Sequence, residues 1–152
     1  MRPYNLHENP LYHHNVESKR IDATWVDYLQ DCGGEKIIDN YVHTKMVWNE
    51  KYENYKVQWT GYFAEVKVKH KPIFPWSSNA HELSILVKME PSESNVFADL
   101  VLSISSKVYN SDKAMFDSLK KGDGILFEAV IVGLGSEYKM HHLHVLSMSK
   151  TT

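Results

Sequence analysis

An α+β, mainly β fold is predicted for this sequence: a five-stranded barrel of the OB type, with a helix between strands 3 and 4, an N-terminal helical elaboration and an extended N-terminal arm. Three observations predict it. In the last third a strand-like run ending at Ile104, a helical run from Ser111 to Lys121, a Lys-Lys-Gly-Asp-Gly turn and two more strand-like runs, Ile125–Val132 and Tyr138–Met148, follow one another directly. In the middle third, Val57 to Lys71 alternates apolar and polar residues, with one slip of parity. At 152 residues the chain suits one domain with a real core, read as 21–152, and an arm, 1–20.

The arm contains two prolines, three histidines and isolated apolar groups in neither the helix nor the strand period. Such a segment is ordered by a neighbouring molecule or folds back on its own barrel. Fully stretched it reaches roughly 70 Å, so Pro3, Tyr4, Leu6, Leu11 and Tyr12 are its candidate contacts with another protein. From Asp22 the pattern becomes helical, since Trp25, Tyr28, Leu29 and Cys32 share one face. Asp22 or Thr24 caps its start, and Gly33-Gly34 is expected to supply a left-handed stop. Ile37 to Trp48 reads as a second helical segment with Ile38, Tyr41, Val42 and Lys45 on a common face.

In the first strand the apolar parity passes from Val57 and Trp59 to Val66 and Val68, which are expected to point inward. One extra residue between Gly61 and Glu65, a β-bulge, explains the slip and supplies the bend a barrel needs. Lys67, Lys69 and Lys71 then face solvent, and Pro72 and Pro75 end the strand. Leu83–Met89 forms the second strand, with Leu83, Ile85 and Val87 on one side. Pro91–Asn95 is a turn and Val96–Ile104 the third strand. Met115, Phe116 and Leu119 make the apolar stripe of the helix that plugs the barrel bottom, with Lys120 and Lys121 favouring its C-terminal end before Gly122. Strand four turns Ile125, Phe127, Ala129 and Ile131 inward. Its other face carries Leu126, Val130 and Val132, so the Trp25 helix is expected to cover it. After the Gly133–Ser136 turn, Leu143 and Val145 point inward from strand five.

Composition narrows the function. Seventeen Lys and Arg stand against 19 Asp and Glu, a formal charge of -2, so the whole chain lacks the positive excess that phosphate-backbone binding requires. The single cysteine, Cys32, has no internal disulfide partner. No apolar run approaches the length of a membrane span, and no signal or transit sequence is recognisable. His142 and His144 share a strand face at chelating spacing beside His141, but no third ligand completes a site, so neither a metal nor another cofactor is expected. As neighbouring imidazoles they would make an interface sensitive to pH near 6. No phosphate loop, nucleophile elbow or H-E-x-x-H pattern occurs, and no catalytic role is expected.

The residues also carry a resemblance. Trp25, Tyr28 and Cys32; Val57, Trp59, Thr60 and Gly61; Ala98 to Leu102; Leu119 and Gly122; Phe127; and Leu134, Gly135 and Ser136, in that order, resemble the C-terminal OB-type domain of wolframin over about residues 22 to 148. The resemblance implies a non-enzymatic barrel that engages other proteins, in a family that resides in the endoplasmic reticulum. The expected function is therefore a non-catalytic protein-binding module, an accessory or structural subunit of a larger assembly. A mitochondrial membrane complex is the expected setting from the absent targeting signals, and the protein is at most peripheral to the membrane. Phe74 and Trp76, held between Pro72 and Pro75, are further candidate contacts, unless that loop folds over one end of the barrel. The alternative is a barrel that binds single-stranded nucleic acid through Lys67, Lys69 and Lys71, although the second strand lacks aromatic platforms and the third has Phe97 alone.

Overall fold

The computed structural model describes residues 18–71, 80–90, 98–136 and 140–151. Three helices, α1 (Trp25–Cys32), α2 (Gly34–Asp39) and α3 (Tyr41–Lys51), precede strands β1 (Lys56–Lys71) and β2 (Ala80–Lys88). Then come β3 (Leu100–Ile104), the short helices α4 (Ser106–Ser111) and α5 (Lys113–Asp117), β4 (Gly124–Gly133) and β5 (His141–Lys150). The strands close into a barrel in the order β1-β2-β3-β5-β4. β3 and β5 run parallel, with Leu100 opposite His141, and the other neighbours are antiparallel. That connectivity is the OB barrel expected from the sequence.

Strand alternation builds the core. Val57, Trp59, Ile85, Val87, Leu100, Leu102, Ile125, Phe127, Ala129, Ile131, Leu143 and Val145 are all buried and form one cluster. Each large member contributes about 1.5–3 kcal/mol by leaving water. The register of β1 against β2 shifts between Phe63 and Glu65, so the bulge falls inside the expected window. Gly61 sits where the strands press together. A Cβ there would lie 2.6 Å from Val87 Cγ1, closer than packed side chains come, and a tight 3.2 Å from the Lys88 carbonyl.

The helical region keeps one of its two expected caps and departs from expectation elsewhere. Thr24 caps α1 in a reciprocal box, accepting from the Asp27 N–H at 3.1 Å while the Thr24 N–H donates to Asp27 Oδ2 at 2.9 Å. Its stop is not left-handed: Gly33 has φ -69° and ψ 170° and donates its N–H to the Leu29 carbonyl at 2.9 Å. Glycine is needed there for a close approach, because a Cβ would meet that carbonyl oxygen at 2.6 Å. The second helical segment divides at Asn40, whose side chain caps α3 by accepting from the His43 N–H at 2.9 Å. Its buried face is Ile37, Thr44 and Trp48, and Ile38, Tyr41, Val42 and Met46 stand in solvent.

α1 does not cover the outward side of β4. Its rings pack on Trp59 and His141, which belong to the inward faces of β1 and β5, so the helix lies across one mouth of the barrel. The plug between β3 and β4 is two short helices broken at Asp112 rather than one helix over Ser111–Lys121. Ser105 is the N-cap used, accepting from the Val108 N–H at 3.2 Å, and it starts the helix earlier than the Ser111-Asp112 signal. The stripe itself holds, with Phe116 buried and Met115 and Leu119 packed against the core. Gly122, at φ +93°, turns the chain into β4. β5 begins at His141 and extends two residues past Met148, pairing Lys150 with Ile125, while β3 begins at Leu100. The expected starts at Val96 and Tyr138 fall outside the described residues.

Candidate docking site

β3 runs from the α1 mouth, where Leu100 pairs with His141, to the opposite mouth, where Ile104 leads through Ser105 into α4. The two mouths are filled differently. At the α1 mouth Trp25 stacks on Tyr28 at 5.7 Å between ring centroids and meets Trp59 edge-on at 5.5 Å, and Tyr28 meets Tyr52 at 4.9 Å. Two of these rings are tied down by hydrogen bonds. Trp59 Nε1 donates to the Ala23 carbonyl at 2.8 Å and the Tyr52 hydroxyl to Asp31 Oδ2 at 2.6 Å. The Trp48 indole N–H is buried near the Tyr28 hydroxyl but outside hydrogen-bond geometry.

His141 organises this plug. The Gly135 N–H donates to its Nδ1 at 2.9 Å, which fixes Nδ1 as an acceptor and the ring proton on Nε2. The Tyr28 hydroxyl at 2.8 Å from the same nitrogen is therefore also a donor. Burial pushes the His141 pKa down to about 4, and both donors would be lost on protonating Nδ1. Burial likewise pushes the Tyr28 hydroxyl upward and the Cys32 thiol up to about 12, which keeps both neutral.

At the other mouth Phe63, Val66, Val68, Leu83, Ile104 and Phe116 line a cleft of about 670 Å3 rimmed by Ser105, Asn110 and Asp117. Val66 and Val68 face the barrel side, as expected, yet remain 47% and 53% exposed. The broken plug leaves them uncovered. Tyr109 closes part of the rim, packing on Phe116 at 5.8 Å and donating its hydroxyl to Asp117 Oδ1 at 2.7 Å.

Of the residues singled out from the sequence, Pro3, Tyr4, Leu6, Leu11 and Tyr12 lie outside the described residues, as do Phe74 and Trp76. Lys67 is exposed on β1 opposite Ser84. Lys69 and Lys71 continue the same strand, opposite Glu82 and Ala80, with side chains outside the described set. His142 Nε2 bonds to Ser103 Oγ on the outward face of the sheet, and burial, then the neighbouring His142, lowers the His144 pKa. Among the described residues no group of three or more His, Cys, Asp or Glu converges, and no helix is long and apolar enough to cross a membrane. The sequence reading missed the cleft. Its one available signal was the length of β1, whose alternation continues well past Tyr62, the last residue paired with β4.

No family model and no curated protein sequence matches the chain. Among solved structures it is similar to the mitochondrial single-stranded DNA binding protein Rim1 from S. cerevisiae, with a TM-score of 0.43 and 13% identity over 64% of this chain and 95% of that one. It is also similar to the yeast Stn1 and Ten1 structure, with a TM-score of 0.42 and 11% identity over 90% of this chain and 64% of that one.

Proposed function

We propose that this chain is a non-catalytic protein-binding OB module, acting as an accessory subunit of a larger assembly, and that the open mouth of its barrel is the docking site. The observation that carries the reading is the pair Val66 and Val68, turned toward the barrel side yet about half exposed above an apolar cleft. Apolar surface left open beside a polar rim is the usual mark of a surface completed by a partner. The outward-facing Ile38, Tyr41, Val42 and Met46 give α2 and α3 a second apolar surface of the same kind. The resemblance to the wolframin C-terminal domain, which engages other proteins, supports the same class of function, and the arm residues Pro3 to Tyr12 remain contacts to be tested with it.

The test is quantitative affinity purification of the full chain against its Val66→Ser/Val68→Ser variant and against a chain lacking residues 1–20. A partner recovered at native stoichiometry whose yield falls at least tenfold with the double variant supports the open mouth, and a fall only with the arm deletion moves the docking to the arm. The nucleic-acid alternative rests on exposed Lys67 and the two lysines that follow it on β1. Single-strand binding that weakens steeply with salt, and that Lys67→Glu abolishes, would replace the protein-binding reading.

A further inference from the structure

β1 outruns its partner. Its pairing with β4 extends from Lys56 opposite Val130 to Tyr62 opposite Gly124. The last backbone bonds on that edge run from the Phe63 N–H to the Asp123 carbonyl and from the Gly122 N–H to the Phe63 carbonyl, both 2.8 Å. Beyond the bulge, from Glu65 to Lys71, the strand is paired among the described residues on the β2 side alone. Among the described residues no backbone hydrogen bond reaches its other edge. A strand paired on one side turns the N–H and C=O of every second residue to the open edge, a template for one more strand.

The two faces of this edge differ in chemistry. Toward the cleft stand Val66 and Val68, over Phe63, Leu83, Ile104 and Phe116. On the other face stand exposed Glu65 and Lys67, and Lys69 and Lys71 hold register positions of the same parity farther along the strand. In sequence, these alternate positions of β1 carry Lys67, Lys69 and Lys71 against Glu65. Lysine along an edge also discourages accidental strand pairing, but protection alone calls for no apolar cleft beside it.

We propose that the open edge of β1 between Glu65 and Lys71 receives an extended segment of a partner protein as an added strand. Residues of that segment alternate between apolar, set over Val66 and Val68 into the cleft, and acidic, set beside Lys67. This is strand addition, in which backbone hydrogen bonds supply affinity and alternate side chains supply selectivity. The inference rests on the protein-binding reading and specifies how the open mouth is used.

The probe is an acetylated octapeptide of alternating valine and glutamate, added to the isotope-labelled full chain while backbone amide exchange is followed by NMR. The expected result is exchange slowed at least tenfold at alternate amides between Glu65 and Lys71. Replacing the glutamates by lysine, or N-methylating alternate peptide residues, should each weaken binding at least tenfold, and Val68→Ser in the protein should do so as well. No slowing at millimolar peptide overturns the proposal, and so does slowing that survives N-methylation, since the cleft would then take side chains without strand pairing. If the partner recovered by affinity purification is lost with Val66→Ser/Val68→Ser while the peptide fails, strand addition falls and the protein-binding reading stands. If oligo-dT slows the same amides and the peptide does not, both fall.

Discussion

The two mouths of this barrel are built from the same alternating strands and differ in what the connecting helices bring to them. α1 lays Trp25 and Tyr28 onto Trp59 and His141, and the rings fill the opening, with the Tyr28 hydroxyl and the Trp59 indole N–H both hydrogen-bonded. α4 and α5, broken at Asp112, place Phe116 and Tyr109 against the other end and leave Val66 and Val68 half exposed. One end is closed by packed rings, and the other is an open apolar cleft. An aromatic plug is costly to disturb, and an open apolar rim is cheap to change but decisive for what can dock.

The largest expected contrast comes from truncating the plug. Trp59→Ala removes a buried indole that touches two rings and donates to the Ala23 carbonyl, and should destabilise by about 3–5 kcal/mol in urea unfolding. A loss below about 1 kcal/mol would show that the α1 mouth is no firmer than the other. Next is acidity. Between pH 6.5 and about 4 the unfolded chain holds a proton on His141 that the folded chain refuses, so the stability from keeping this ring neutral is full above that window and fades as pH falls through it. The slope approaches about 1.4 kcal/mol per pH unit. Burial lowers His144 as well, and it adds to the slope with the same sign. Unfolding midpoints measured across the window should flatten in His141→Asn, and an unchanged slope would remove His141 from the account.

A smaller effect sharpens the comparison within the plug. Tyr28→Phe keeps the ring contacts and deletes the hydroxyl that serves His141 Nδ1, leaving that nitrogen the Gly135 N–H alone. The expected cost is about 1 kcal/mol. The smallest effect belongs to the open mouth, where Val68→Ser should change stability by no more than about 0.5 kcal/mol. A loss as large as that of a core residue would mean the rim is already packed, and the contrast between the mouths would disappear.

The barrel was legible because period-two alternation and a parity slip are local signals. Val57, Trp59, Ile85, Ile125, Phe127 and Leu143 face inward as their spacing requires, and the bulge falls at Phe63/Glu65. What the helices cover was not legible. α2 and α3 carry apolar residues on both sides, so spacing alone could not choose Ile37, Thr44 and Trp48 over Ile38, Tyr41 and Val42. Ser105 and Ser111-Asp112 offer equivalent capping chemistry, and packing of Tyr109 and Phe116 accompanies the earlier start. The cleft left no pattern of its own, because Val66 and Val68 alternate just as the fully buried Ile85 and Val87 do. Whether an inward side chain finds neighbours depends on an element distant in sequence. The proposed contacts in the arm and in the loop with Phe74 and Trp76 lie beyond the described residues.

The ring is fastened by the fifth of its five strands in chain order. β5 slots between β3 and β4, pairing with both, and the Thr151 N–H reaches back to the Gly124 carbonyl at 2.9 Å. Until His141–Lys150 has been made, a nascent chain carries β3 and β4 with one flank each unzipped, and closure waits on contacts far apart in sequence. Translation that stalls after Gly133 would therefore expose two sticky flanks at once, which makes the synthesis of β5 the interval when a chaperone matters most.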